Sequence, residues 1–375
     1  MRSSIWRRFD PLLLLIPCAL VFIGGVMIYS AYGASLAGEE PLMDNAVFRQ
    51  ALFALIGLGT YMVAAMVDYH FWARMWRGVY LFALVILSIT LAIGEVSFGA
   101  QSWIAFQAFD VQTSELGKVL MILVLAQCLG REPAEMESLR PLLLSLALIL
   151  PPALLIYLQP DFGTALILIT TWMGMVFLAG VRWRHLFLLL AIGAVLAPVI
   201  WHQLEDYMRA RILLFFFPDQ DPSGASYNVT QALIGIGSGG LWGKGFRQGT
   251  QSQLYFLRVR HTDFIFSVLA EELGFVGAML LILLFALLIL RLVRVAMLAQ
   301  DHYGRLLAAG VAVMILIQTV VNLGMNANLL PVTGLPLPLV SYGGSSLVTM
   351  LLALGVSQSV AMRRQWADSP FGESS

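Results

Sequence analysis

Charge is what this 375-residue chain lacks most. Only 12% of its residues are Asp, Glu, Lys or Arg, against about 25% in a soluble domain. Hydrophobic residues make up 59% of the chain. The 22 basic and 22 acidic residues cancel, so no net positive field marks a nucleic-acid partner. Cysteine is almost absent: Cys18 and Cys128 both fall in apolar segments. That excludes a disulfide framework and a cysteine-based zinc site. His185, His202 and His302 lack metal-ligand spacing, so no metal site is assigned. A nucleotide P-loop is missing too. Around Gly243-Lys244 the G-x-x-x-x-G-K-[ST] pattern requires Gly at 238 and Ser or Thr at 245. The chain has Ser238 and Gly245.

Long apolar runs are what is present. A spanning helix needs ~20 mostly apolar residues. That window predicts ten helices near 11–32, 47–67, 76–94, 112–129, 141–158, 162–180, 185–202, 263–290, 304–324 and 343–362. The fold class expected is an all-α polytopic membrane protein, because lipid forces each segment to satisfy its own backbone. The first run is too long for a signal h-region, and no A-x-A site ends it. It reads as a retained helix.

Most Lys and Arg residues, including Arg7, Arg8, Arg74, Arg77, Arg182, Arg184, Arg291, Arg294 and Arg305, then fall on one side. The positive-inside rule makes that side cytoplasmic and the topology N-in, C-in. Six of the remaining cations lie in one long loop, 203–262, predicted to be extracytoplasmic and part of the same single domain. Its start, HQLEDYMRARILLFFF, predicts a helix at the membrane surface. The polar end, ADSPFGESS, predicts a disordered tail.

Ionisable groups at membrane depth are functional candidates. Glu115 and Lys118 are spaced i,i+3 on the fourth helix, one on the face of the other. Either they form an ion pair that locks packing, or they line a polar cavity. Asp161 follows a proline where the chain re-enters the membrane, a natural N-cap position. Asp263 stands at the start of the eighth helix among Arg258, Arg260 and His261. Capping or dipole complementation is its plain reading, and a helix N-terminus should lower its pKa. Glu271 and Glu272 are expected to be structurally paired. The glycine-rich run IGSGGLWGKGF is expected to be mostly a flexible surface loop, although its backbone N–H groups and Lys244 could cradle a diphosphate. GLPLPLVSYGGSS predicts a rigid, non-helical re-entry.

QTSELGKVL, QPDFGTALIL, IGSGGLWGKGF, HTDFIFSVLAEELGF and GLPLPLVSYGGSS together resemble the SEDS family (shape, elongation, division, sporulation), in order and over essentially the whole chain. GTQSQLYFL before HTDF is more similar to the elongation branch, RodA, than to the division branch, FtsW. The resemblance implies a ten-helix peptidoglycan glycosyltransferase in the bacterial cytoplasmic membrane. Its implied substrate is lipid II, an undecaprenyl-diphosphate disaccharide-pentapeptide, polymerised on the outer face. Its implied partners are a class B penicillin-binding protein, the elongation machinery and membrane lipids. The family's essential aspartate falls on Asp263, its cavity charges on Glu115, Lys118 and Asp161, and two further cations on Arg49 and Lys244. No resident cofactor is implied, though a divalent cation could assist at the diphosphate. The sequence departs from the family at Phe256-Leu257-Arg258-Val259, where F-L-P-E is usual, and at Thr113, where a proline is usual. A lipid flippase and a non-catalytic scaffold for a penicillin-binding protein are the rival readings.

Overall fold

The apolar runs fold as helices. The computed structural model describes residues 6–32, 45–97, 100–106, 109–130, 138–217, 225–254, 256–257 and 260–363. Arg258, Val259 and the tail 367–375 lie outside them. Helices lie at all ten expected positions. They are α1 (Leu12–Tyr32), α2 (Ala46–Met66), α4 (Trp76–Ile93), α5 (Thr113–Leu129), α6 (Leu139–Leu158), α7 (Phe162–Leu178), α8 (Trp183–Gln203), α12 (Ile265–Met297), α13 (His302–Asn326) and α14 (Gly344–Met362). Seven of these are both long and apolar enough to cross a membrane. α7 and the apolar part of α8 are shorter. α5 carries the buried Glu115 and Lys118.

The remaining elements sit between spans. The short helix α3 (Tyr69–Arg74) precedes α4. Helices α9 (Asp206–Phe216), α10 (Ala225–Ser238) and α11 (Thr250–Gln253) fill the long loop. One addition departs from an all-helical reading: strands β1 (Glu95–Ser97), β2 (Ala100–Phe106) and β3 (Phe109–Gln112) form a small antiparallel meander between α4 and α5. Alternation over so few residues carries little periodic signal, and hydropathy windows of ~20 residues pass over it.

Burial divides the helices. α5, α13 and α14 form the centre and are enclosed almost all round, while α8 is exposed along most of its length. α14 packs along α2, and α13 along α12, α7 and α5. The centre is also where the polar groups are. Glu115, Lys118, Gln318, Asn322, Asn326, Ser346 and Gln358 are all buried. Buried polar groups are held only where they are hydrogen-bonded, so the core is a polar network inside an apolar jacket.

The glycine-rich run is not a loose loop. α12 breaks at Gly274 (φ 68°), and the turn 239–245 fits into the break. Lys244 N and Gly245 N donate to the Glu271 and Glu272 carbonyls, each at 3.0 Å. Phe275 N and Val276 N donate to the Gly240 and Leu241 carbonyls at 2.9 and 3.2 Å. The N–H groups of Lys244 and Gly245 therefore satisfy a broken helix. Gly243 has φ 79°, and a Cβ there would collide with the Glu272 carbonyl. Gly243→Ala should destabilise the fold by about 2–4 kcal/mol. A thermal melt of the purified protein checks this, and an unchanged melting temperature would contradict the packing.

Of the two glutamates beside this break, Glu271 is paired with a cation, as expected, and Glu272 is held by a serine hydroxyl. Glu271 accepts from Lys244 Nζ at 2.8 Å, from Thr250 Oγ1 at 3.0 Å and from Gln251 N at 3.0 Å. Glu272 accepts from Ser30 Oγ at 2.6 and 2.7 Å.

Candidate active site

The site is built on the non-helical segment that joins α13 to α14. Residues 331–343 form no helix before Gly344 starts α14, apart from one turn in which Ser341 N donates to the Leu337 carbonyl at 3.0 Å, in keeping with the non-helical re-entry expected there. Gly334 has φ 70°. A Cβ on it would meet Arg211 Nη1 at 3.3 Å and Asp263 Oδ2 at 3.8 Å. This glycine therefore separates a cation from a carboxylate. Arg211 comes from α9 and donates through Nη1 to the Thr333 carbonyl at 3.0 Å. Gly163, near the start of α7, would place a Cβ 2.7 Å from that same carbonyl. Three separate parts of the chain thus close on Thr333–Gly334.

Asp263 is not a helix cap. The N-cap of α12 is Phe264, which makes no side-chain capping bond. Asp263 is held by its backbone instead. Its carbonyl accepts from Asn322 Nδ2 at 3.1 Å and from Asn326 Nδ2 at 2.9 Å. On one side, the Thr262 carbonyl accepts from Ser341 Oγ at 2.5 Å, and the His261 carbonyl from Tyr342 N at 2.9 Å. These bonds fix the backbone that carries the carboxylate.

The electrostatics reverse the expectation. Asp263 precedes the first residue of the spanning helix, and its side chain keeps part of its surface open. The surrounding protein is nonetheless dense enough that desolvation pushes its carboxyl up to about 6. The Arg211 charge and a Thr262 hydrogen bond pull the other way. A helix terminus was expected to lower the value, and burial wins because the carboxylate caps no helix. Burial and the Arg260 charge hold His261 down, to about 4. It is neutral at pH 7, and its ring lies 4.8 Å from that of Tyr32, tilted at 49°.

Glu115 and Lys118 form a second cluster on α5. Lys118 Nζ donates to Glu115 Oε1 at 2.8 Å and to Gln318 Oε1 at 3.0 Å. Ser346 Oγ donates to Glu115 Oε2 at 3.1 Å. Asp161 approaches the start of α5 from the start of α7. Its Oδ1 caps Thr164 N at 3.1 Å, as a post-proline Asp should. Its Oδ2 accepts from Gln112 Nε2 at 3.0 Å and Ser114 Oγ at 2.8 Å, ahead of Glu115.

Arg49 lies in the first turn of α2 and is half-buried. Its neighbour Gln50 accepts from Gly343 N at 3.4 Å, at the far end of the re-entry. Lys244 has a different setting: its ammonium is engaged by Glu271 and by Thr250 Oγ1, both at 2.8 Å. No group of three or more His, Cys, Asp or Glu side chains with metal-binding geometry exists among the described residues.

Two features escaped the sequence reading. Arg211 was one cation among several in an amphipathic stretch, and nothing local distinguishes it. Gln318, Asn322 and Asn326 carry a signal that was overlooked: three carboxamides at intervals of four in an apolar span. That spacing puts them on one helix face.

Residues 11–365 match the cell cycle protein family that takes in FtsW, RodA and SpoVE. The chain belongs to this family. Peptidoglycan glycosyltransferase MrdB of Escherichia coli K12 is 38% identical over 370 residues, which is 97% of each chain. Stage V sporulation protein E of Bacillus subtilis is 39% identical over 360 residues, 94% of this chain and 96% of that one. A peptidoglycan synthase complex, solved to study how polymerisation and crosslinking are coordinated, contains a chain that superposes with a TM-score of 0.79 at 32% identity, covering 94% and 97% of the two chains. The rod shape determining protein RodA of Thermus thermophilus superposes with a TM-score of 0.69 at 31% identity, covering 95% and 97%. This FtsW/RodA/SpoVE chain is therefore matched end to end, in sequence and in fold.

Proposed function

We propose that this chain is a peptidoglycan glycosyltransferase of the RodA kind. In this reading it polymerises lipid II on the extracytoplasmic face of the bacterial cytoplasmic membrane, with Asp263 as general base. The observation that carries the base assignment is the placement of Asp263. Its backbone is clamped by two buried carboxamides, and its carboxylate faces Arg211 across Gly334. A base needs a defined position and a pKa near the working pH, and desolvation supplies the second.

The reaction is glycosyl transfer with inversion. Asp263 takes the proton of the attacking sugar hydroxyl as the bond to the donor anomeric carbon forms. The bond from that carbon to the diphosphate breaks, and the diphosphate leaves with the electron pair. Cations must then meet the charge that develops on it. Lys118 donates to two protein acceptors and is enclosed, so its charge acts on the diphosphate at a distance rather than through a hydrogen bond. Arg211, Arg49 and Lys244 are the other cations assigned to the diphosphate, and a divalent cation could join them there. Glu115 and Asp161 orient their neighbours. A class B penicillin-binding protein that cross-links the product is the proposed partner, because a similar chain is found in a polymerising and crosslinking complex.

The test is lipid II polymerisation by the full-length chain with its cognate transpeptidase, beside Asp263→Ala. Glycan is expected from the wild type alone. Glycan from both would sink the base assignment. Movement of lipid across proteoliposomes without glycan would favour a flippase.

A further inference from the structure

The polar stripe of α13 joins the two charged clusters. Gln318, Asn322 and Asn326 are each fully buried, and successive members are one turn, about 6 Å, apart along the helix. Gln318 accepts from Lys118 Nζ at 3.0 Å and donates to the Pro336 carbonyl at 3.1 Å. Asn322 donates to the Leu335 carbonyl at 2.7 Å and to the Asp263 carbonyl at 3.1 Å. Asn326 donates to the same Asp263 carbonyl at 2.9 Å, and Ser267 Oγ donates to Asn326 Oδ1 at 2.6 Å. Simple packing needs no such set. Three carboxamides in an apolar core carry a desolvation penalty that only their hydrogen bonds offset. Those bonds end on Lys118, on Asp263 and on the re-entry carbonyls between them.

We propose that Gln318, Asn322 and Asn326 are positioning residues, an amide ladder on one helix that sets Lys118 and Asp263 in fixed register across the re-entry. The proposal rests on the reading of Asp263 as the base. Asn322 and Asn326 share one acceptor, so either amide alone keeps Asp263 nearly in place. Gln318 acts at the other end, on the cation assigned to the diphosphate. Both ends of the ladder therefore serve the chemical step: Asn322 and Asn326 through the base, and Gln318 through the cation that meets the charge developing on the leaving diphosphate.

The test uses the full-length chain with its transpeptidase and fluorescent lipid II. Asn322→Ala and Asn326→Ala are each expected to lower kcat about 3–10-fold, and the double variant more than about 100-fold, beyond the product of the singles. KM should stay within about twofold in all three, and Gln318→Met should likewise lower kcat about 3–10-fold with KM nearly kept. Thr319→Val is the control: Thr319 is buried on the same helix, and its hydroxyl has no hydrogen-bond partner. It should behave as wild type. A double variant that is merely the product of the singles, or a Gln318→Met variant with wild-type kcat, overturns the proposal. Should the double variant fail to fold, Ser267→Ala decides. It loosens Asn326 without opening the core, and kcat about 2–5-fold down at constant KM supports the ladder, while wild-type kcat overturns it. Asp263→Asn run in parallel separates the two ideas. An active Asp263→Asn defeats the base reading itself; an inactive one beside wild-type-like asparagine variants defeats the ladder alone.

Discussion

Asp263→Asn is expected to lower kcat by about 10²–10⁴-fold and, at neutral pH, to raise the melting temperature. The two effects share one cause. Asp263 has its carboxyl lifted from 3.8 to about 6, with burial the main contribution. A carboxyl with a raised folded-state value binds its proton more tightly in the folded chain than in the unfolded one. Its ionised form opposes folding in full above about pH 6, and that opposition fades as pH falls toward 4. Asparagine removes it. The gain in melting temperature should be present at pH 7 and shrink at pH 4.5. Activity follows the opposite sign, because a base works only when deprotonated. The wild-type kcat should therefore fall on acidification with a midpoint near 6. Arg211→Gln removes the charge that restrains the lift, so the acid limb should move to higher pH and activity at pH 7 should drop. A pH–rate series with both variants, beside melts at the two pH values, checks all of this. A variant Asp263→Asn that melts lower than wild type at pH 7 would contradict the burial that the base assignment uses.

The sequence carried more of the frame than of the site. Ten spans were legible because lipid demands long apolar windows, and the helices fall where those windows lie. The cap at Asp161 was legible because a post-proline Asp has few better uses. The pairing of Glu271 was legible in kind, since glutamates at depth need partners, but Lys244 comes from a distant part of the chain, and Glu272 takes the Ser30 hydroxyl where a cation was expected. Asp263 shows where local rules stop. One residue of offset between Asp263 and the true cap, Phe264, turns a lowered pKa into a raised one. Helix ends predicted from sequence are uncertain by more than that. The glycine-rich run was misjudged for a related reason. Its glycines allow backbone to meet backbone at the Gly274 break, and no local pattern announces that a helix 30 residues downstream is broken. Arg211 was invisible because its meaning depends on Thr333 and Gly334, more than 100 positions away.

Glu115→Ala is expected to destabilise the protein by about 3–5 kcal/mol, because it leaves a buried ammonium without its counter-charge. Lys118 and Glu115 are both enclosed, at 1% and 0% side-chain exposure, so water cannot take the place of the lost carboxylate. The double variant Glu115→Leu, Lys118→Met separates the two roles the sequence left open. Replacing both charges with apolar side chains of similar volume removes the penalty of burying them. Two partners are left wanting, Ser346 Oγ and Gln318 Oε1, at about 1–3 kcal/mol each. The relief and this new penalty are of similar size, so the double variant should melt within about 2 kcal/mol of wild type. Its glycan synthesis should nevertheless be lost, because no ammonium remains to meet the diphosphate. Recovery of stability together with activity would reduce the pair to a packing lock. Recovery of stability without activity would make Lys118 part of the chemistry and Glu115 the group that keeps its charge in place.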